Sequence, residues 1–572
     1  MSSTVSDVLL DAMAAAGVRQ VFGIPGDAIN AVIDGIRRHP DLTFVHVRHE
    51  EAGAFAASAQ AKLTGKLAAV VGTAGPGAVH LLNGLMDAAL DHAPVIAVTG
   101  QVETAKIGTH AHQEVDQSAL FSSVAVFSET VVDAGQMPTL AVQACLAALS
   151  EPGVAHLALP ADVATAAADP LPTPAPVPAA SPMAPSDDAL AAAVEVLAAA
   201  EKPLILAGIG CEGAVPQLVA VAERLGAPII KTLKAKALLA DDHPLTVGGL
   251  GLLGTRAAVN AVGDCDALLM VGTDFPYTDF YPGHDVPAVQ IDRERSRIGR
   301  RFPVAAPVVA DAGPALEGLL ERLPQRQDRS FLEGAQEDMA RWRRWMRWFE
   351  TSESVPLKPE RVAAITGAYL HDDAIIVCDT GTVTAWTARH LAAREGQQFT
   401  LSGNLASMAY GIPAAIGAQL AHPGRQVVAL VGDGSFTMLP SDLMTAADLE
   451  LPITVVVFDN GELGLITVEE ESEGFAEQQT GIPRQDLARI AEAFGAEGHT
   501  ARTPDQLDEA LRTALRSPRP SVVVACVDPH ELIIPPKIEL AQALGYAEAK
   551  VKEFFGIGRR EGGFDVILDI LP

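Results

Sequence analysis

The sequence predicts an α/β protein of three doubly wound parallel-sheet domains followed by a C-terminal tail. Three observations lead there. Short apolar runs of strand length alternate with longer helix-like stretches in three separate blocks. A proline-rich segment and an aromatic-basic segment part the blocks and break the alternation. The 572 residues are too many for one hydrophobic core.

The first block runs to about residue 165. Ser6 is the expected cap of a helix over Asp7–Ala16, Gly17 ends it, and Val21–Ile24 reads as a short buried strand. Strand Thr43–Val47 leads through His49-Glu50-Glu51 into the small-residue helix Ala52–Thr64. Strand Leu67–Thr73, the turn Gly75-Pro76-Gly77, helix Val79–Ala89 and strand Val95–Thr99 follow. Alternation of this kind implies a parallel sheet covered by helices on both faces. The prolines of Pro170–Pro185 favour an extended linker. The second block opens with strand Pro203–Ala207 and the turn Gly208-Ile209-Gly210, continues through strands near Ala267–Val271 and Ala288–Ile291, and closes near residue 330. Segment Gln325–Pro359 interrupts it; within it, Arg341–Phe349 holds three of the four tryptophans among arginines and reads as an interdomain helix. The third block runs from strand Ala374–Val377 to about Val527, and a tail of roughly 40 residues remains. The expected domains are 1–182, 183–334, 335–530 and the tail 531–572.

A net charge of −30 opposes a nucleic-acid partner. The five cysteines have neither metal-ligand nor redox spacing, which fits a reduced cytoplasmic setting. Met1–Leu10 shows no export signal, and no uncharged stretch reaches the about 20 residues needed to span a bilayer.

Chemistry concentrates at strand ends. Strand Val427–Val431 ends in Gly432-Asp433-Gly434-Ser435, and strand Ile453–Phe458 ends in Asp459-Asn460-Gly461. Each delivers an oxygen donor at the C-terminal edge of a parallel sheet, where ligands bind. An Asp carboxylate, an Asn amide oxygen and a nearby backbone carbonyl suit Mg²⁺ beside a diphosphate. Taken alone, these are equally two ordinary strand-end turns, and Glu50 alone is an ordinary first-turn helix residue.

The joint occurrence is more specific. Val21-Phe22-Gly23-Ile24-Pro25-Gly26, Arg48-His49-Glu50-Glu51, Gly75-Pro76-Gly77, Gln113-Glu114, Ser407-Met408 and Gly432-Asp433-Gly434 through Asn460 stand in one chain. With these motifs, nearly the whole chain resembles the thiamine-diphosphate enzymes of the pyruvate oxidase and acetolactate synthase group, most closely the bacterial quinone-linked pyruvate oxidases. The resemblance implies a pyrimidine-binding domain, a central flavin-binding-like domain and a diphosphate-binding domain. It implies that Glu50 hydrogen-bonds the aminopyrimidine and promotes deprotonation of the thiazolium carbon. Met408 would be the apolar wedge that bends the coenzyme, though a Met is more often plain core. Gly75, Ala406, Ser407, Asp433, Gly434, Ser435, Asn460, Leu463, Gly464, Leu465 and Ile466 would complete the coenzyme site, with Mg²⁺ on Asp433, Asn460 and Glu462. In this group Glu50 and Asp433 of one site belong to different subunits, so the resemblance implies a homo-oligomer, a tetramer, with sites between chains.

For the central domain the resemblance implies FAD, bound by Gly210, Gly251-Leu252-Leu253-Gly254, Asp274-Phe275-Pro276-Tyr277, Asp292 and Asp311. Physically, glycine turns at strand ends admit a dinucleotide diphosphate, and Asp292 can accept from an adenosine ribose. Ala235 and Ala310 depart from the glycines usual in relatives. Around the substrate the resemblance places His112, Gln113, Leu465 and Glu469; His112 and Leu465 stand where pyruvate oxidases usually have Phe. The implied reaction is oxidative decarboxylation of a 2-oxo acid, pyruvate to acetate and CO₂, with FAD passing electrons to quinone or oxygen. A non-redox decarboxylase or carboligase like acetolactate synthase stays open. Ile534-Pro535-Pro536-Lys537-Ile538-Glu539-Leu540 resembles the start of the lipid-binding tail of the quinone-linked members, and Ala541–Phe555 can form an amphipathic helix. A cytoplasmic protein, peripheral on the inner face of the membrane, is the corresponding expectation.

Overall fold

A computed structural model describes residues 3–171, 181–531 and 533. The expected tail segments Ile534–Leu540 and Ala541–Phe555, and most of the proline-rich linker, lie outside them. Three six-stranded sheets, each wholly parallel, are present. The first contains β1 (Gln20–Gly23), β2 (Thr43–His46), β3 (Ala68–Gly72), β4 (Val95–Gln101), β5 (Ala125–Thr130) and β6 (Val154–Pro160) in the order β2-β1-β3-β4-β6-β5. The second contains β7 (Pro203–Ala207), β8 (Ile229–Lys231), β9 (Thr246–Gly249), β10 (Ala267–Val271), β11 (Ala288–Asp292) and β12 (Ala306–Val309), ordered β12-β11-β10-β7-β8-β9. The third contains β13 (Ile375–Cys378), β14 (Gln398–Leu401), β15 (Val427–Gly432), β16 (Ile453–Asp459), β17 (Glu497–Ala501) and β18 (Ser521–Cys526), ordered β14-β13-β15-β16-β18-β17.

The outer two sheets thus share one strand order. The middle one has the 3-2-1-4-5-6 order of dinucleotide-binding folds, read from β9 at one edge to β12 at the other. Central strands such as β4, β7 and β16 are buried along their whole length, which is why they read as unbroken apolar runs.

Two local expectations are corrected. The first helix is Val5–Ala15, and its cap is Thr4, in a reciprocal capping box with Asp7. Ser6 points inward and donates to the Ala164 carbonyl at 2.9 Å. The helix expected over Val79–Ala89 is two helices, Pro76–His80 and Leu82–Leu90. The Trp segment lies in helix Ser330–Glu350; Trp342 is buried in a cluster with β7 and β10 side chains, whereas Trp348 is 70% exposed.

Two contacts set the domains against one another. Helix Glu50–Thr64 packs on helix Gly411–Ala421, and a Cβ at Gly417 would lie 2.2 Å from the Ala56 carbonyl oxygen, so the backbones touch only because Gly417 has no side chain. Asp91 is the second. This buried carboxylate takes Lys62 at 2.8 Å from its own domain and Lys234 at 3.1 Å from the middle one. The N–H groups of Gly403 (2.8 Å) and Asn404 (3.1 Å) reach it from the third. Burial pushes the carboxyl upward, but the two lysines prevail and hold it well below the usual carboxylate range.

Because its folded-state value is depressed, Asp91 contributes stability that is whole above the unfolded-state value and drains away as pH falls below about 4. Asp91→Asn takes the carboxylate from Lys234, which is 28% exposed, and leaves Lys62 to Asp87 and the Leu401 carbonyl, and should cost about 2–3 kcal/mol. Thermal unfolding at neutral pH checks this; the wild-type advantage should shrink in acid.

Candidate active site

The first half of the site is built on the edge of the first sheet. Arg48, just past β2, gives its N–H to Asp442 of the third domain at 3.0 Å, which docks the segment before the Glu50 helix. His49 caps that helix, accepting the Glu51 N–H on Nδ1 at 3.2 Å. Glu50 follows in the first turn and is 7% exposed. Its Oε2 lies 3.0 Å from His80 Nδ1, and a Cβ on Gly77 would lie 3.3 Å from its Oε1. Gly75 has φ +67°, and a Cβ there would meet the Gln113 carbonyl oxygen at 2.9 Å. The Gly75-Pro76-Gly77 turn therefore admits the Gln113 loop across it, with Gln113 itself at φ 64°. Glu114 ties this loop down through the N–H groups of Gly108 and Ala111. His112 is exposed beside it.

The second half lies on the third sheet, where the strand order reverses between β13 and β15. Asp433 follows β15 and is 4% exposed. It accepts the Gly461 N–H at 2.7 Å and the Gly434 N–H at 2.9 Å. Burial, with Asp459 adding, pushes its carboxyl up to about 7 despite those two bonds. Asn460 accepts the Glu462 N–H on Oδ1 at 3.3 Å, and Gly464 leaves room for its Nδ2, since a Cβ there would lie 2.8 Å from that atom. The Asp433 carboxylate, the Asn460 amide oxygen and the Glu462 carbonyl are all hard oxygen donors, and this chemistry suits a divalent cation of the Mg²⁺ kind.

Met408, Leu463 and Ile482 converge above Gly434, where a Cβ would meet them at 3.2, 3.0 and 3.0 Å. Met408 thus lies against the Asp433 turn and outside the buried cores of the domains. Ala406 (φ 55°) and Ala409 (φ 70°) hold the left-handed backbone on either side of Ser407-Met408. Non-glycine residues rarely adopt it, at a cost on the order of 1 kcal/mol each. Tyr410 anchors the strained loop, fully buried against Phe55 and bonded to Thr400 at 2.7 Å. Ser407 receives the Asn83 amide at 3.0 Å, and Asn83 also donates to Glu51 at 2.6 Å. Ser435 donates to the Thr380 carbonyl at 3.4 Å. Leu465, Ile466 and Glu469 lie on helix Gly464–Ser472, with Ile466 and Glu469 exposed.

Several residues here escaped the sequence reading. Asp379-Thr380-Gly381-Thr382 closes the other side of the crevice at the end of β13, with Asp379 pushed up to about 6 by burial. A strand running into Asp-Thr-Gly at a helix start was the available signal. Ile482 reaches the site only because residue 482 crosses back to Gly461, its N–H donating to that carbonyl at 2.8 Å. His80 carried no spacing signal at all.

In the middle domain the strand order reverses between β7 and β10. The turns there touch backbone to backbone, a Cβ on Gly210 lying 2.7 Å from Gly272 Cα. Gly251 packs on Phe275, bringing Gly251-Leu252-Leu253-Gly254 to Asp274-Phe275-Pro276-Tyr277. Arg389 of the third domain donates to the Leu252 carbonyl at 2.8 Å. A cavity of about 300 Å³ lies against this turn, lined by Gly249, Leu250, Leu253, Thr255, Trp342 and His390 among others. Tyr277 is 62% exposed. Asp274 is paired with Arg300 and Arg301. Asp292, at the end of β11, accepts the Glu294 N–H at 2.8 Å, and burial pushes its carboxyl upward. Asp311 lies apart, beyond edge strand β12, on the Met183 N–H and Arg293.

Comparison with known proteins agrees with this layout. Residues 3–120 match the N-terminal TPP binding domain of thiamine pyrophosphate enzymes, residues 190–319 the central domain, and residues 379–525 the C-terminal TPP binding domain. The chain is 41% identical over 542 residues to YdaP of Bacillus subtilis, a protein described as thiamine pyrophosphate-containing, covering 94% of each chain. It is 31% identical over 514 residues to a pyruvate oxidase of Lactiplantibacillus plantarum, covering 87% of this chain and 84% of that one. It is 33% identical over 542 residues to the acetolactate synthase isozyme 2 large subunit of Escherichia coli, covering 92% and 96%.

The glycines of the Asp433 turn should part company on substitution. A Cβ on Gly432 meets nothing within 4 Å, so Gly432→Ala should leave the unfolding free energy within about 0.5 kcal/mol. Gly434→Ala puts a Cβ 3.0–3.2 Å from the terminal carbons of Met408, Leu463 and Ile482, which must shift to admit it, and should cost about 1 kcal/mol. Denaturant unfolding of the two variants side by side is the check.

Proposed function

The chain belongs to the thiamine pyrophosphate enzyme family, and on that premise we propose that it oxidatively decarboxylates a 2-oxo acid, pyruvate first among candidates, with FAD as electron acceptor and quinone or oxygen as the final one. Decarboxylation of a 2-oxo acid on thiamine diphosphate is the family's shared chemistry. When bound, the coenzyme supplies a carbon nucleophile and a cationic ring that takes up the electron pair released with CO₂. The observation that carries the reading is the pair of carboxylate clusters: Glu50 against Gly77 and His80, and Asp433 on the Gly434 and Gly461 N–H groups with Met408 against Gly434.

Asp433, Asn460 and the Glu462 carbonyl would hold Mg²⁺ and through it the diphosphate. The Gly434 and Gly461 N–H groups keep Asp433 aimed. Met408, propped by the strained loop and by Tyr410, would fill the bend of the coenzyme. Glu50, in a dry pocket, would hold or give up a proton at the aminopyrimidine nitrogen. Gln113, His112, Leu465 and Glu469 would meet the substrate.

The redox branch draws support from the middle sheet: its dinucleotide-type strand order and the glycine crossing between β7 and β10. A second reading, a carboligase like the acetolactate synthases it resembles, is favoured by the absence of aromatics at His112 and Leu465. Purified protein should be yellow and should bleach on anaerobic addition of pyruvate. Flavin that stays oxidised while acetolactate accumulates selects the carboligase.

The two clusters sit on separate sheets, and apolar side chains lie bare near each: Val79 at 43%, Ile466 at 45% and Phe475 at 58% exposure. These support sites shared between two copies of the chain, in a homotetramer. Glu50→Gln should lower CO₂ release at least about 100-fold. Mixing dissociated and reassociated Glu50→Gln and Asp433→Asn chains should restore activity to about a quarter of wild type, because a mixed pair holds one intact site. A site within one chain would restore none.

A further inference from the structure

We propose that His49, Glu50 and His80 form a binding site for a divalent transition-metal ion of the zinc class, and that the ion competes with the coenzyme for Glu50. One ligand atom from each residue lies within 4.8 Å of the other two. Among the described residues this is the one group of three or more His, Cys, Asp and Glu side chains so arranged. Two imidazoles and a carboxylate are a zinc donor set, and they leave a fourth position for water.

The geometry is close to what the metal needs. Glu50 Oε2 and His80 Nδ1 are already 3.0 Å apart, near the edge of about 3.3 Å expected of a tetrahedral site with bonds near 2 Å. His49 stacks on His80 with ring centroids 4.5 Å apart, so it must tilt to bring a nitrogen into the set. The side chains are free to do so: His80 is 44% exposed and His49 35%, while Glu50, at 9%, is the fixed member. His49 uses Nδ1 to cap Glu51, a bond that a metal ion would leave in place by using Nε2 or replace outright. Rigidity in the carboxylate and slack in the imidazoles let an ion seated on Glu50 draw the second nitrogen into place.

The donor type separates this site from the Asp433 turn. Two nitrogens favour zinc, cobalt or nickel over magnesium, whereas Asp433 and Asn460 offer only oxygen. Millimolar Mg²⁺ therefore should not fill the His49–Glu50–His80 site, but zinc-class ions should. The competition rests on the reading of Glu50 as the coenzyme's contact; the metal binding does not.

The test uses CoCl₂ with the full-length protein stripped of coenzyme, in excess MgCl₂, read by the visible absorption of nitrogen-ligated, tetrahedral Co²⁺. One saturable equivalent is expected. His80→Gln and His49→Gln, each confirmed folded by circular dichroism, should bind at least tenfold more weakly. Absence of the bands in wild type, or unchanged titrations in both variants, overturns the site. The titration is then repeated on protein preloaded with thiamine diphosphate and Mg²⁺ and freed of excess. At least tenfold weaker Co²⁺ binding is expected, and equal binding overturns the competition while leaving the proposed catalytic activity untouched.

Discussion

The contact that the site depends on is the close approach of helix Glu50–Thr64 to helix Gly411–Ala421, made possible where Ala56 meets Gly417. Each helix begins at a chemically important point. Glu50 opens the first, and the strained Ser407-Met408 loop runs into the second. Bringing the axes together where Gly417 lacks a side chain fixes how far those starts can be from one another. Any Cβ at Gly417 would push the helices apart and shift both starts at once. The small side chains of the Glu50 helix, mostly Ala and Gly, are read in this light as a packing surface and not as generic helix formers.

Around that contact the charges are arranged to lock a third body in place. Asp91 receives groups from all three domains, and Lys62, on the Glu50 helix itself, reaches it along with Asp87 and the Leu401 carbonyl. A buried ionic cluster of this kind adds little net stability over an apolar one, but it is unforgiving of misalignment. It therefore specifies one relative placement of the sheets. A second buried knot, Lys231 and Lys236 on Asp241, joins the middle domain to the third through the Ala388 carbonyl and the Ala393 N–H. The turn Gly251-Leu252-Leu253-Gly254 is then pinned by Arg389 from the third domain, so the proposed flavin segment and the diphosphate sheet move as one.

The sheets were legible in the sequence because buried parallel strands are nearly pure apolar runs, and β7 and β10 match their expected spans residue for residue. The residues at strand ends were legible wherever glycine or an oxygen donor punctuated such a run, as at Asp433 and Asn460. What failed was anything decided by the return of a distant segment. The cap of the first helix went to Thr4 because Ser6 is needed by Ala164, a partner 158 residues away. Ile482 and His80 belong to the site for the same reason: their neighbours are set by tertiary crossings that local pattern does not encode. The strain at Ala406 and Ala409 was invisible too, since alanine gives no hint of a left-handed backbone.

Two sheets of identical strand order carry the two carboxylate clusters, and this bears on how a site could be completed. Each sheet offers ligands only along its C-terminal edge, because both faces are covered by helices. One chain therefore carries two clusters of different make-up, the buried Glu50 beside two imidazoles and the buried Asp433 beside an amide side chain, and the proposed roles are proton handling at the first and cation holding at the second. Within the chain Glu50 turns toward Gly77 and His80, and Asp433 toward its own loop amides. Pairing two copies about a twofold axis would join unlike halves twice over and bury the bare Val79, Ile466 and Phe475. The middle sheet, with its different order, has no such counterpart. That asymmetry fits a domain whose proposed ligand is held by one chain alone, and under the proposed pairing only the outer two sheets would need a second copy.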